Sequence, residues 1–362
     1  LEVGMFAVVM CGGAGTRFWP ASRQKRPKQF LNITGKGPMV VETCDRLRPL
    51  TQDEELILVL GEQHMREAAR YFEDRKIHML AEPVGRNTAP CMGLGAIYAA
   101  YLGCRGPVAF LPADHFIGDP VTFLRDLSRA GEIAVQGGIV TVGIVPDRPE
   151  TGYGYIRRAP EPMETGDGAA YRVVEFVEKP ELEKAVRYLS TGEYYWNGGI
   201  FVARPDTVLQ EMETQLPGLY EGLMELKPAL GTDRFKTTLK RVYDRLEGIS
   251  FDYGIMENTE APVYVVPSAC GWSDVGSWRS LYALRTDECD AQGNLCEGDA
   301  ILVDCQQAFI SAKGGRTVAC LGLKNCLVVD TEDALLVADQ DRSQDIRRIV
   351  ETLKAKGRKN LE

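Results

Sequence analysis

The chain has 362 residues, 44% of them hydrophobic, and a formal net charge of −9. That is enough to bury a sizeable core, as two domains or as one large domain with an appendage. The acidic balance argues against a general nucleic-acid surface, which favours basic residues, and leaves room for a local basic pocket that takes a phosphorylated small molecule. No apolar run approaches the ~20 residues that span a bilayer, and the first residues lack the basic start and long apolar core of a signal peptide. Met5 is read as the natural start, with residues 1–4 as a cloning remnant. The ten cysteines show no Cys-x-x-Cys spacing. In a long chain without a secretory signal they read as free thiols, with Cys104, Cys270 and Cys320 as small buried hydrophobes. His64, His78 and His115 are too dispersed for an obvious zinc site. A cytoplasmic protein is expected.

Apolar runs alternate with helical patterns through the first two-thirds. The runs at 6–10, 56–60, 77–81, 108–111 and 139–145 predict strands, and the patterns at 39–47, 63–72, 88–102 and 121–136 predict helices between them. Short apolar strands separated by helices imply crossovers and a mostly parallel sheet covered on both faces. The pattern then loosens, with strands expected at 171–177, 200–203 and 263–266. Near Asp290 the chain changes character. Short apolar stretches at 300–303, 308–310, 317–321, 326–329 and 334–337 follow one another with turn residues between them and no room for helices. Stacked short strands, as in a few coils of a β-helix, fit that spacing, and 341–356 reads as a terminal amphipathic helix. The expected division is a domain at 1–288 and a second at 289–362.

The segment CGGAGTRFWPASRQKRPKQF (11–30) directly follows the first strand. Ligands of open α/β sheets bind beyond the carboxyl ends of strands, and glycines there let backbone N–H groups approach an anion. The dinucleotide fingerprint is excluded, because Phe18 stands where the third glycine belongs. The nucleoside-triphosphatase loop is excluded because no Lys follows the glycines at its spacing. A loop of backbone donors at Gly12, Gly13 and Gly15, backed by Arg17 and by Lys25, Arg26 and Lys28, suits a triphosphate. Charges alone fit a solvated basic loop equally well.

Gly-Gly-x-Gly-Thr-Arg-Phe-Trp-Pro followed by Ser-Arg-x-x-x-Pro-Lys-Gln-Phe resembles the signature of bacterial mannose-1-phosphate guanylyltransferases, a branch of the sugar-nucleotide pyrophosphorylases. AEPVGRNTAP (81–90), LPADHFI (111–117), TGYGYI (151–156), FVEKPE (176–181), WNGGIF (196–201), SFDYGIME (250–257) and GWSDVGSW (271–278) stand in that family's order. The resemblance implies an α/β nucleotidyltransferase domain of glycosyltransferase-A type, a Rossmann-like mixed, mostly parallel sheet flanked by helices, with a short β-helix-like domain after it. It implies Mg²⁺ as cofactor, and GTP, mannose 1-phosphate, GDP-mannose and diphosphate as ligands, with no nucleic acid and no membrane. Many relatives carry a further isomerase domain. The residues after Asp290 are too few for it, so a monofunctional chain is expected, its final strands and helix packing on the catalytic domain or forming a homodimer contact.

Asp114 and Asp274 each follow an apolar stretch. Singly, either reads as a helix cap or turn residue; with the resemblance, both are expected to hold the metal, a hard cation that takes oxygen ligands. The implied reaction is in-line nucleotidyl transfer. A sugar phosphate has a second pKa of about 6 and is already largely dianionic at neutral pH. No Ser, Cys or His nucleophile is needed, and alignment and charge neutralisation do the work. Arg17 is assigned to the leaving diphosphate, Lys28 to the α-phosphate, Lys179 to the sugar's phosphate, Glu178 to sugar hydroxyls and Asn197 to the sugar ring. Gly152 and Gly154 admit the sugar to the backbone. Thr16, Glu82, Arg86, Asn87 and Thr88 are placed at the nucleotide, with guanine implied by Phe18-Trp19. Three alternatives stand: another hexose 1-phosphate or base, a non-catalytic sugar-nucleotide-sensing subunit, and a hexapeptide acyltransferase. The last needs a much longer β-helix than 293–338. The presence of Arg17, Lys28, Asp114 and Asp274 favours activity over sensing.

Overall fold

In a computed structural model of the chain, residues 4–13, 15–164 and 168–362 are described. The cloning-remnant reading falls mostly on residues 1–3, outside them. Contacts divide the chain into two compact units. One comprises Leu1–Gly12, Thr43–Ala113 and Ile117–Trp272; the other comprises Gly13–Glu42, Asp114–Phe116 and Ser273–Glu362.

The first unit is built on a nine-stranded sheet. Its strands are β1 (Phe6–Cys11), β2 (Leu56–Gly61), β3 (His78–Glu82), β4 (Val108–Pro112), β6 (Ile139–Ile144), β7 (Tyr155–Glu164), β8 (Ala169–Val177), β9 (Tyr194–Ala203) and β10 (Val263–Ser268). A two-residue strand β5 (Phe116–Ile117) intervenes in the chain, and another, β11 (Trp272–Ser273), follows β10. The order is β3-β2-β1-β4-β9-β6-β10-β8-β7. The parallel character predicted from the crossovers runs through β3, β2, β1 and β4 and recurs between β6 and β10. β9 enters between β4 and β6 antiparallel to both, which makes the sheet mixed. Met10 lies opposite Pro112, so β1 and β4 end side by side at the sheet's carboxyl edge, where such sheets bind ligands.

The central strands are Val- and Leu-rich and buried on both faces, as strands with helices on each side must be. Helix α1 (Met39–Leu47) precedes β2 and α2 (Met65–Tyr71) follows it; α3 (Thr88–Tyr101) and α4 (Pro120–Val135) follow β3 and β5. Asp119 caps α4 through bonds from the Val121 and Thr122 amides, with Pro120 in its first turn. Helices α5 (Leu182–Thr191), α6 (Pro205–Gln215), α7 (Pro217–Met224) and α8 (Phe235–Arg245) complete the unit. The core gathers α3, α6, α7 and α8 against the strands, with Val8, Phe110, Met92, Leu223 and Tyr243 fully buried. The sequence pattern does not predict β7. Pro160 and Pro162 interrupt it, and its register with β8 shifts there; prolines in a strand signal a bulge or an edge and mask the alternation.

The second unit is a stack of short strands: β12 (Leu295–Gly298), β13 (Ala300–Val303), β14 (Phe309–Ala312), β15 (Val318–Leu321), β16 (Cys326–Asp330) and β17 (Leu335–Asp339). β12, β14 and β16 pair in parallel, β17 closes the sheet antiparallel, and β13 pairs with β15. Leu295, Phe309 and Leu327 stand in register, one per coil, and all are buried. This is the coil stacking expected from the spacing. The terminal helix is shorter than predicted: a 3₁₀ segment, Gln340–Ile346, is followed by α10 (Arg347–Ala355). Helix α9 (Trp278–Leu284) is capped by Ser277.

The contact units cut the chain differently from the expected division at 288/289. The cause is apolar. Phe18, Trp19, Leu31, Ile33 and Met39 from the signature segment bury with Trp278, Leu281, Phe309, Leu336, Ile346 and Val350. The ring of Phe18 lies 5.1 Å from Trp278, which lies 5.5 Å from Phe309. Trp19 Nε1 donates to Leu361 O at 2.8 Å, and Trp278 Nε1 to Trp19 O at 3.3 Å. All ten cysteines are free, and no helix among the described residues is long and apolar enough to cross a membrane. Truncation of Trp278 to Ala removes the centre of this cluster and should cost about 3–5 kcal/mol of unfolding free energy in urea titration, with Trp278→Phe losing markedly less.

Candidate active site

The signature segment leaves β1 at Cys11. Gly12 and Gly13 are exposed. Gly15 has φ +57, and a Cβ on it would stand 2.5 Å from Lys28 Cβ, so both its conformation and its neighbour demand glycine. Ser22 Oγ donates to Gly15 O at 2.6 Å and fixes the turn. Thr16 opens a 3₁₀ turn, Thr16–Phe18, in which Phe18 points inward and Arg17 outward. The Arg17 side chain is exposed and has no ion-pair or hydrogen-bond partner among the described residues.

Lys28 is the opposite case. Its side chain is 6% exposed, yet its ammonium is fully engaged. Nζ donates to Asp114 O at 2.8 Å, to Asp114 Oδ2 at 3.1 Å and to Asp274 O at 2.5 Å. An ammonium has three donors, and these three bonds take them all. The two aspartates read from sequence as metal ligands are thus brought together by the lysine read as a phosphate ligand. Asp274 Oδ1 accepts from the Gly276 amide at 3.1 Å. Between these residues Val275 is fully buried at φ +44, a strained conformation for a β-branched residue. Among the described residues no group of three or more His, Cys, Asp or Glu stands ready for a metal ion. The donor set here is oxygen only, two carboxylates, which fits a hard cation that completes its shell with water and phosphate oxygens.

In the first unit, the AEPVGRNTAP loop is held by its own neighbours. Glu82, at the end of β3, is 6% exposed and accepts from Tyr243 Oη at 3.0 Å. Burial pushes its carboxyl up to about 7, against the hydrogen bond from Tyr243, which lowers it. Arg86 Nε donates to Tyr243 O at 2.9 Å, in the last turn of α8, where a cation suits the helix carbonyl end. Asn87, at φ +71, caps α3 by accepting from the Thr88 amide, and Thr88 Oγ1 accepts from the Phe251 amide at 2.8 Å. The side chains of Arg86, Asn87 and Thr88 are therefore engaged with backbone.

A second cluster of the same unit gathers the sugar candidates. A Cβ on Gly154 would meet Glu178 Oε2 at 2.6 Å, so a glycine is required for Glu178 to sit there. Gly152 is exposed, its amide donating to Glu150 Oε1. Lys179, at φ +45, pairs with Glu178. The Asn197 amide N–H donates to Gly154 O at 2.8 Å; its side-chain Oδ1 accepts from Gly199 N at 3.0 Å, and Nδ2 donates to Asp252 Oδ1 at 2.5 Å. Tyr153 packs edge-on against Trp196 and Trp272, with ring centroids 5.3 Å and 5.2 Å away, and the Arg148 guanidinium lies 4.9 Å over Trp196. Asp252, Tyr243, Tyr153 and Trp272 carried no individual role in the sequence. Asp252 and the two aromatics lay in quoted motifs, whereas Tyr243 sits on an amphipathic helix, where a core aromatic carries no signal.

Sequence and fold comparisons give the family. The chain belongs to the nucleotidyl transferase family, which it matches over residues 6–291, and residues 298–353 match the MannoseP isomerase/GMP-like beta-helix domain. Within that family it is 39% identical over 360 residues to the mannose-1-phosphate guanylyltransferase of Escherichia coli K12, covering 98% of this chain and 74% of the relative. It is 39% identical over 357 residues to the protein of that name from Salmonella montevideo, covering 97% and 74%. The crystal structure of a "mannose-1-phosphate geranyltransferase" from Thermus thermophilus superposes with a TM-score of 0.86 at 37% identity, over 97% of this chain and 100% of that one.

The buried Glu82 sets a pH signature. Its folded-state pKa is raised from 4.5 to about 7, so the native state holds this proton more tightly than the unfolded chain. The associated stability is complete below pH 4.5 and is lost as pH rises through about 7. Glu82→Gln has no such titration. Relative to it, the wild type should lose about 3 kcal/mol between those limits, read from urea midpoints across the pH range; parallel pH profiles for the two proteins would exclude a buried, proton-holding Glu82.

Proposed function

We propose that this chain is a mannose-1-phosphate guanylyltransferase, converting GTP and mannose 1-phosphate to GDP-mannose and diphosphate. The observation that carries the reading is the likeness to the Escherichia coli enzyme over 98% of this chain, which spans every motif named above. In the proposed reaction a phosphate oxygen of the sugar phosphate attacks the α-phosphorus of GTP. The bond to the bridging oxygen of the β-phosphate breaks, and diphosphate leaves with that electron pair. The sugar phosphate arrives deprotonated, so no side chain has to remove a proton.

The residues supply positioning and charge. Arg17, exposed and with no partner among the described residues, is assigned to neutralise the departing diphosphate. Lys28 orients Asp114 and Asp274 and exchanges one of their oxygens for an α-phosphate oxygen when substrate arrives. Asp114 and Asp274 would hold Mg²⁺, which when bound neutralises phosphate charge. Gly12, Gly13, Gly15 and Thr16 offer backbone donors to the phosphates. The support for a nucleoside role at Glu82 is its position at the carboxyl end of β3. With Arg86, Asn87 and Thr88 bonded to backbone, their part is to shape that loop. Lys179 is assigned to the sugar's phosphate, and Glu178 and Asn197, with Gly152 and Gly154, to the sugar ring.

Diphosphate release measured with GTP, mannose 1-phosphate and Mg²⁺ tests the reading. Turnover with that pair should exceed turnover with ATP, UTP or dTTP and with glucose 1-phosphate. Release only with a different pair would reassign the substrates, and release with none would leave the sensing subunit. Asp114→Asn and Asp274→Asn should each lower kcat about 100-fold or more, the scale of losing one preorganised electrostatic contact to the transition state. Normal rates in both variants would remove these residues from the mechanism.

A further inference from the structure

Asp252 has no role in the reaction as described so far, yet it is built into the sugar cluster. It opens the π-helical turn Asp252–Met256, a rare form that concentrates at functional sites. It is half-buried and accepts the Asn197 side-chain amide at 2.5 Å. That bond decides which way the Asn197 amide faces. With Nδ2 aimed at Asp252, Oδ1 must accept from Gly199 N, as it does at 3.0 Å; a flipped amide would place oxygen against carboxylate and NH₂ against N–H. Glu178 and Lys179 lie close enough to influence the Asp252 carboxyl. Burial and Glu178 push it above its ordinary range, and the Asn197 bond pulls it down. Burial, Glu178 and Asp252 raise Glu257 in turn. Glu178 and Asp252, with Lys179 beside them, suit a ligand rich in hydroxyl donors, because ionised carboxylates only accept.

We propose that Asp252 is a positioning residue of the sugar subsite: its carboxylate locks the Asn197 amide, leaving the second Nδ2 hydrogen of Asn197 and a free lone pair of Asp252 to engage neighbouring hydroxyls of a hexose 1-phosphate. The proposal rests on reading this cluster as the sugar site. The π-turn is the device that brings the carboxylate in. The Tyr253 side chain is exposed, whereas Gly254, Ile255 and Met256 are buried, so the turn is anchored on its inner side and presents Asp252 from a fixed base. Conservative replacement should preserve the lock. Asparagine at 252 still offers an oxygen to Asn197, whereas alanine offers none and the serine hydroxyl is too short to reach it.

Steady-state kinetics with mannose 1-phosphate and GTP test this. Asp252→Ala should raise the KM for the sugar phosphate about tenfold or more, the range for losing a hydrogen bond to a charged group, with the KM for GTP and kcat nearly unchanged. Asp252→Ser should match it, which keeps the test intact if the alanine variant does not fold. Asp252→Asn should return the KM to within about threefold of wild type. Asn197→Ala should give the same defect, and the double variant Asp252→Ala/Asn197→Ala should be no worse than either single one. Equal rises in both KM values, a KM indifferent to Asp252, failure of asparagine to restore it, or additive effects with Asn197 would each overturn the proposal. If the wild type proves selective for another hexose 1-phosphate, the same series is run with that sugar. The failure of the mannose reading is thereby separated from the failure of the Asp252 lock.

Discussion

A buried ammonium is the constraint on which the signature segment depends. Removing a cation from water costs several kcal/mol unless every proton finds a partner, and Lys28 finds all of its partners in two short loops, at Asp114 and at Asp274. Much of the local structure follows from satisfying that one group. Lys28 can sit there only because Gly15 has no Cβ to strike it. The Gly15 turn is closed by Ser22. The loop at Asp274 passes through Val275 in a left-handed conformation, a strain of order 1–3 kcal/mol that persists because Val275 is fully buried among apolar neighbours in the same cluster. Phe18, Trp19 and Trp278 supply much of that burial. The segment's aromatic residues and its charged ones therefore act together: the first make the apolar ground on which the second are held in register.

The same principle, polar groups completed by the protein itself, organises the loops of the other unit. Glu82 and Tyr243 complete each other in the core. Arg86 terminates α8, Asn87 starts α3, and Thr88 receives the Phe251 amide. The Ile249 amide donates to Arg86 O and the Ala89 amide to Ile249 O, so the loop after β3 and the segment before the π-turn are stitched by backbone bonds. Asp252 follows that seam by three residues and carries the Asn197 bond. The loop after β3 is in this way continuous, through one short stretch of chain, with the carboxylate that holds Asn197.

Most of the sheet was legible because its strands are short apolar runs with helices between them, and a two-sided parallel sheet has no other way to look in sequence. The strands of the C-terminal coils were legible for a different reason: their turns recur at a spacing too short for helices. Strand β7 was hidden by Pro160 and Pro162, and β12 by its Cys-Glu-Gly composition. The grouping of Gly13–Glu42 with Ser273–Glu362 could not be read at all, since it depends on Phe18 meeting Trp278 and on Trp19 meeting Leu361, pairs separated by hundreds of residues. In the site, the motifs pointed to Lys28, Asp114, Asp274, Glu178 and Asn197, but not to their mutual bonds. Lys28 read as a ligand of phosphate and is found bonded to the aspartates. Asp252 read as one letter of a motif and is found holding Asn197. A spacing pattern marks which residues are placed at an edge; it carries no information on which of their donors is already taken.

That distinction bears on how such a site works. The chemistry needs charge neutralisation and alignment, and no covalent participation by a side chain. Here charges neutralise each other in pairs, Lys28 with Asp114 where the ammonium is buried, and Lys179 with Glu178 where the lysine is exposed. In the proposed reaction a phosphate oxygen would replace a carboxylate or carbonyl oxygen on an ammonium already desolvated and oriented, so the desolvation cost of the buried Lys28 would be met in folding and would not recur on binding. Arg17 stands outside that arrangement, exposed and with no partner among the described residues, which in the proposed reaction suits a cation that meets its counter-charge in the phosphates of the bound nucleotide.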